Sequence, residues 1–350
     1  MLINLAAFVI VIAGIMSAKA IVVPFLLASF LAIICAPPVY WLRTRKVPPI
    51  VSILLLVLVV ILVEMMLATL VTSSMAEFSR AIPQYQERLH AMFKDLIAWL
   101  EGHGIELTEK IFMDQFDPGK LMSIAANMLN NLFGMLTNTF MIMLTLVFIL
   151  LEASGFTDKL KAIAGSPDAD MEKYDRIISG VNRYLALKTG TSLVTGGLVT
   201  IGLWIIGVDF AVMWGVLAFL LNFIPTIGSI IAAVPSVLLA LVQLGLAPAA
   251  ATAGLYLVIN MIVGNILEPK IMGSGVGLSP LVIFVSMAFW GWVLGPVGML
   301  LSVPLTMTLK IGLGYSEKTR HIALLLGSNG EAVKALREQE KFSLMAEGNK

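Results

Sequence analysis

FAVMWGVLAFLLNFIPTIGSIIAAVPSVLLALVQLGLAPAAATAGLYLVINMIVGNIL, residues 210–267, holds 58 consecutive residues without a charged side chain. A helix crossing about 30 Å of hydrocarbon takes about 20 residues, so this stretch holds two or three apolar helices. Its unbroken Leu, Ile, Val and Ala lacks the alternation of a membrane β-barrel strand. Outward from it, further uncharged runs occupy residues 1–18, 20–42, 47–63 (continuing past Glu64 to 76), 121–151, 189–208 and 271–309. Over all 350 residues 59% are apolar and 13% charged, against ~45–50% and ~25% in soluble domains. This composition excludes a water-soluble enzyme, a coiled coil and a disordered chain. A single cysteine, Cys35, excludes an intrachain disulfide. A net charge of +1 provides no basic field for nucleic acid. The expected fold is an all-α integral membrane protein, a polytopic helical bundle.

Charge placement orients it. Arg43, Arg45 and Lys46 lie between two apolar runs and put that loop in the cytoplasm. Six Lys/Arg between Glu152 and Lys188, and seven from Lys310 onward, extend the bias, whereas residues 75–130 carry eight Asp/Glu against five Lys/Arg. Between Lys188 and Lys310 the chain must then cross an even number of times, which one, three and two passes satisfy. The reading is eight to ten hydrophobic passes with both termini cytoplasmic; any two-segment hairpin that dips in and returns lowers the true crossings. No Lys or Arg precedes the run 1–18, so it reads as a span and not a cleaved leader. The divisions are N-terminal spans 1–74, a polar amphipathic-helical insert 75–130, a span 131–152, a cytoplasmic connector 153–188, a C-terminal core 189–312 with broken helices, and a cytoplasmic tail 313–350. The tail's residues 331–342 read as a short charged helix.

In the insert, Ile82, Tyr85, Leu89, Phe93, Leu96 and Leu100 recur at helical spacing up to Gly102-His103-Gly104. Asp117-Pro118 then caps a helix starting near Gly119 and running to Leu151. The apolar stripe fits a lid, an oligomer contact or a passive cap over the spans.

Catalytic and cofactor chemistry find no residues. Lys188-Thr189-Gly190 has the wrong order for a phosphate loop, and Gly273, Gly275 and Gly277 lack the dinucleotide spacing. The histidines His90, His103 and His321 lie in polar segments without metal-ligand spacing. The expectation is a non-enzyme with no metal and no cofactor.

Three interruptions break the apolar C-terminal half, where residues 189–309 contain only Asp209, Glu268 and Lys270 as charges. Asp209 reads as a loop residue. At the first interruption, 222–229, Pro225 removes a helical hydrogen bond and Gly228 costs about 1 kcal/mol against Ala, so the helix breaks or kinks. Backbone groups freed at membrane depth are tolerated where they line a cavity or are buried in protein. Asn222, Thr226 and Ser229 either line such a cavity or satisfy a plain proline kink. At the second, Pro269 ends the preceding helix between Glu268 and Lys270. Asn260, Gly264 and Asn265 precede it, and their amides are costly facing lipid, so a functional polar cluster competes with a simple membrane boundary. At the third, Gly291, Gly295 and Pro296 read as a hinge or tight hairpin, with Gly273 a further hinge candidate and Trp290 and Trp292 suited to an interface belt.

Together, 222–229 (Asn-Phe-Ile-Pro-Thr-Ile-Gly-Ser), 264–273 (Gly-Asn-Ile-Leu-Glu-Pro-Lys-Ile-Met-Gly), Leu278-Ser279-Pro280 and the stretch from Trp290-Gly291 to Pro304 resemble the AI-2E family of bacterial inner-membrane transporters. The loop 43–46 and Ile82-Pro83-Gln84-Tyr85 fit the same pattern. The resemblance implies export of a small, hydroxyl-rich furanone signal across the inner membrane by a homo-oligomer, a pentamer. It leaves the substrate open, because the family includes proteins described as sodium/proton antiporters. In the leading reading, lipid and a small polar solute are the partners: Asn222, Thr226, Ser229, Asn260 and Asn265 offer hydrogen bonds to a neutral polyol, and Glu268 and Lys270 form a gate or coupling pair. A cation/proton antiporter would instead need an intramembrane carboxylate, Glu64 or Glu268. A third reading is a non-transporting scaffold that binds a partner through residues 75–130.

Overall fold

Without water to satisfy them, the peptide groups of apolar runs must bond within their own segment, which favours helices. In a computed structural model of the chain, describing residues 2–103, 139–164, 171–272, 277–314, 318–328, 330 and 333, every element is helical. In chain order they are α1 (Leu2–Ser17), α2 (Lys19–Thr44), α3 (Pro49–Gly102), α4 (Thr139–Ala164), α5 (Met171–Ile206), α6 (Ala211–Leu221), α7 (Ile227–Leu244), α8 (Leu246–Ile259), a π-helical segment (Asn260–Leu267), α9 (Glu268–Met272), α10 (Pro280–Leu294), α11 (Pro296–Gly314) and α12 (Arg320–Leu326). Among the described residues, six helical stretches are long and apolar enough to cross a bilayer, and three shorter apolar helices accompany them. The chain is a polytopic helical membrane protein.

α5 shows the solvent most clearly. Lys188, Thr191, Ser192 and Thr195 are buried, whereas Leu193, Val194, Leu198, Ile201, Trp204 and Ile205 are exposed. A helix with its polar side inward and its apolar side outward is built for lipid.

The N-terminal half packs α2, α3 and α4 around Ala28, Ala32, Cys35, Ile53, Val57, Ile142 and Leu146. α3 continues without a break for 54 residues, about 80 Å at 1.5 Å per residue, so the expected insert begins as an extension of a span. Its Tyr85 and Leu89 are buried in the C-terminal core with Phe78, and Ile82 packs against that core. The expected helix start at Gly119 and the tail helix 331–342 fall almost wholly outside the described residues.

Residues 189–309 divide into one helix (α5), three (α6, α7, α8) and two (α10, α11) joined through the π segment and α9. Gly207, with φ 90°, ends α5 and lets the chain reverse into α6. α6 is only 11 residues long, about 16 Å. After the interruption α7 returns to the level where α6 began. There the Gln243 side chain accepts from the Asp209 N–H at 3.0 Å and donates to the Gly207 carbonyl at 3.3 Å. α6 and α7 therefore form a hairpin whose two ends share the Gly207 end of the bundle. α3 is pinned to that end, because the Tyr85 hydroxyl donates to the Asp209 carboxylate at 3.0 Å and Arg88 to the Gln243 carbonyl at 3.2 Å.

α10 and α11 form a second hairpin, turned by Gly295 with φ 75° and opened by Ser279, whose side chain caps the Val282 N–H. Lys310 on α11 donates to the Gly277 carbonyl just before α10, so both ends of this hairpin lie together. Gly180, on α5 beyond Lys188, faces Ile311 of α11, which puts those ends opposite the Gly207 end.

At Pro269 the structure corrects the sequence reading. The helix does not end there; α9 runs through it. The missing proline N–H is accommodated upstream, where eight residues widen to π geometry and the Glu268 N–H reaches back to the Val263 carbonyl.

Candidate functional site

Lys188, Thr191, Ser192 and Thr195 are spaced i, i+3, i+4 and i+7, so they form one polar stripe along α5. Ser192 lies 14 residues from α5's end at Ile206, about 21 Å into the bundle. The first hairpin's tip reaches the same depth: the Asn222 amide donates to the Ser192 hydroxyl at 2.9 Å.

Around that bond lies a narrow cavity of about 10 Å³ lined by Thr195, Asn222, Ser229, Tyr256, Asn260 and Gly264 with apolar neighbours. That is room for about one water. Four segments contribute: α5, the tip and start of α6–α7, α8, and the π segment. All its polar groups are neutral hydroxyls and carboxamides, which suits an uncharged hydrogen-bonding solute and leaves no buried charge to compensate.

One turn beyond the cavity stands an ion pair. Lys188 donates to Glu268 at 2.5 Å, and the Thr191 hydroxyl lies 3.0 Å from the same oxygen. Their side chains are 8% and 18% exposed, so the pair is shielded on both sides and neither charge can be removed cheaply.

Of the sequence candidates, Asn222, Ser229 and Asn260 line the cavity. Pro225, Thr226 and Gly228 build the hairpin tip beside it, with Thr226 itself exposed. Gly228 is required there: a Cβ would stand 1.8 Å from the Leu221 carbonyl oxygen. Asn265 is exposed and is not among the lining residues. The Glu268–Lys270 pairing is corrected: Glu268 bonds Lys188, and Lys270, two residues further round the helix, is exposed. Pro269 lies within α9. Gly291, Gly295 and Pro296 are at the turn of the second hairpin, with Met299 packed against Gly291. Gly273 lies outside the described residues. Sequence reasoning missed Lys188, Thr191, Ser192, Thr195 and Tyr256. The signal for the first four was a polar i, i+3, i+4, i+7 stripe on an otherwise apolar helix; Tyr256 offered none beyond its type.

The sequence pattern of the AI-2E family transporters matches residues 5–317. The chain belongs to that family. An Escherichia coli protein named AI-2 transport protein TqsA is 39% identical over 324 residues, covering 93% of this chain and 94% of that protein. A Haemophilus influenzae protein provisionally named a transport protein is 43% identical over 332 residues, covering 93% and 95%. YhhT of Escherichia coli is 37% identical over 326 residues, with 93% of each chain covered. The AI-2E match thus takes in both hairpins, the cavity and the long α3.

This AI-2E chain also carries a carboxylate outside the cavity. Glu64, on α3, accepts from the Thr139 hydroxyl of α4 at 2.5 Å, and its other oxygen is buried without a partner among the described residues.

Proposed function

We propose that the protein is a secondary transporter exporting a small neutral polyhydroxylated solute, a furanone of the autoinducer-2 type, across the bacterial inner membrane. It works as a homo-oligomer, a pentamer by family resemblance, with both termini cytoplasmic. The observation that carries the reading is the meeting of an interrupted hairpin tip and a π-distorted helix at one cavity lined by neutral hydrogen-bonding groups. Broken helices holding a polar solute near the midplane are the recurrent device of secondary transporters. Since the cavity holds about one water, passage requires the α6–α7 tip to withdraw, and the Lys188–Glu268 pair closes the way one turn further on. Liposomes containing the protein should take up a labelled dihydroxylated furanone faster than empty liposomes. Truncating Asn222 and Asn260 to Ala together should reduce that uptake at least about tenfold, since each removes a hydrogen bond to the solute. Unaltered uptake by the double variant would remove the cavity from the route.

Sodium/proton exchange has one observation in its favour, the half-satisfied Glu64 carboxyl inside a span. A sodium-dependent proton flux abolished by Glu64→Gln would support it.

A further inference from the structure

Two hydroxyls of the cavity make no hydrogen bond to the described residues. Thr195 and Tyr256 line it from α5 and α8, are 8% and 6% exposed, and their side-chain oxygens have no hydrogen-bond partner among the described residues. Their polar neighbours make bonds elsewhere. The Ser192 hydroxyl accepts from Asn222 and that of Thr191 reaches Glu268. Ser236 stands beside Tyr256, but it gives its proton to the Ala233 carbonyl at 2.9 Å, and no bond of acceptable length and angle joins it to the phenol.

Resting on the transport reading above, we infer that Thr195 and Tyr256 are the specificity-determining pair, selecting solutes that present a hydroxyl to them over those that present only hydrogen there. Each protein hydroxyl both donates and accepts, and a solute hydroxyl is a small neutral group that does the same. A deoxy solute leaves these buried hydroxyls unanswered, and sites built this way reject the analogue that lacks the group.

The test uses the full chain in liposomes with a tritiated dihydroxylated furanone and its monodeoxy counterpart. Thr195→Val and Tyr256→Phe, singly and together, remove one oxygen each at nearly constant volume. Wild type should prefer the dihydroxylated probe by about tenfold or more. The double variant should lose that preference by slowing only the dihydroxylated probe, and it should unfold at or above the wild-type temperature because it sheds unanswered polar groups. A double variant that keeps the wild-type preference, or that melts well below it, overturns the inference and leaves the transport reading standing. Wild-type protein that moves neither probe overturns both.

Discussion

Thr226 has φ 59° and ψ −49°, and the Ile227 N–H closes on the Pro225 carbonyl at 2.6 Å. This is the strained γ-turn of positive φ, held here by a β-branched residue at a cost of about 1–3 kcal/mol. Thr226→Gly should therefore raise the melting temperature of the purified protein, by the equivalent of about 1 kcal/mol; a fall would mean that the threonine side chain itself holds the turn. Lys188 and Glu268 set the opposite case. Lys188→Met alone strands a shielded carboxylate and should cost about 3 kcal/mol, whereas Lys188→Met with Glu268→Leu should recover most of it. Thermal midpoints of the single and double variants decide this, and a double variant no better than the single would show that the two charges do not act as a pair. Asn222, Ser229 and Asn260 were legible in the sequence because a polar side chain inside a long apolar run has few reasons to be there. Lys188 was not, since a lysine at the edge of a run looks like a membrane boundary. Thr195 was hidden for another reason: a helical threonine ordinarily bonds its own i−4 carbonyl and needs no further account.

Each hairpin relies on a glycine in the first turns of its second helix that admits a carbonyl of the first. A Cβ at Gly228 would meet the Leu221 oxygen at 1.8 Å, and one at Gly298 would meet the Trp290 oxygen at 1.9 Å. Because these are backbone atoms, no side-chain rotation relieves the clash. Gly254, in the middle of α8, has nothing within 4 Å of its ideal Cβ. The same substitution should thus have opposite signs: Gly228→Ala lowers the melting temperature, whereas Gly254→Ala raises it by the equivalent of up to about 1 kcal/mol through helix propensity. Equal effects at the two positions would deny the close approach. Pro225 and Gly228 announced the break between α6 and α7 because both act where they stand. Pro269 misled because its missing N–H is absorbed in the turns before it, as π geometry, so the element it shapes is not the one it sits in. The charges that begin near Glu77 mark the polar amphipathic-helical insert, and α3 runs on into it because a change of composition alters what a helix faces and not whether its peptide bonds continue.

Across the whole molecule the two hairpins open at opposite ends of the bundle. α5 and the α8–π–α9 rod connect the two ends; α6–α7 enters and leaves at the Gly207 end, and α10–α11 at the Glu268 end. The parity argument from charge allowed three complete passes within residues 210–267 equally well, because a dip and return changes the count by two. The length of α6 bears on the difference: its 11 residues, about 16 Å, fall short of about 30 Å of hydrocarbon, and the Asn222 tip bonds Ser192 inside the bundle. Accessibility in vesicles tests whether the two hairpins open on opposite sides of the membrane. With the native Cys35 replaced by Ser, single cysteines are placed at Val212 and Leu246, which flank the first hairpin and are 45% and 76% exposed, and at Lys270 and Lys318 near the opposite end. A membrane-impermeant maleimide should label positions 212 and 246 from one side only and positions 270 and 318 from the other, in right-side-out and inverted vesicles respectively or the reverse. Labelling of 212 and 246 from opposite sides would mean that α6–α7 does not return to the end it entered from, against the bonds of Gln243 to Gly207 and Asp209 and the pairing of the tip with the polar stripe of α5.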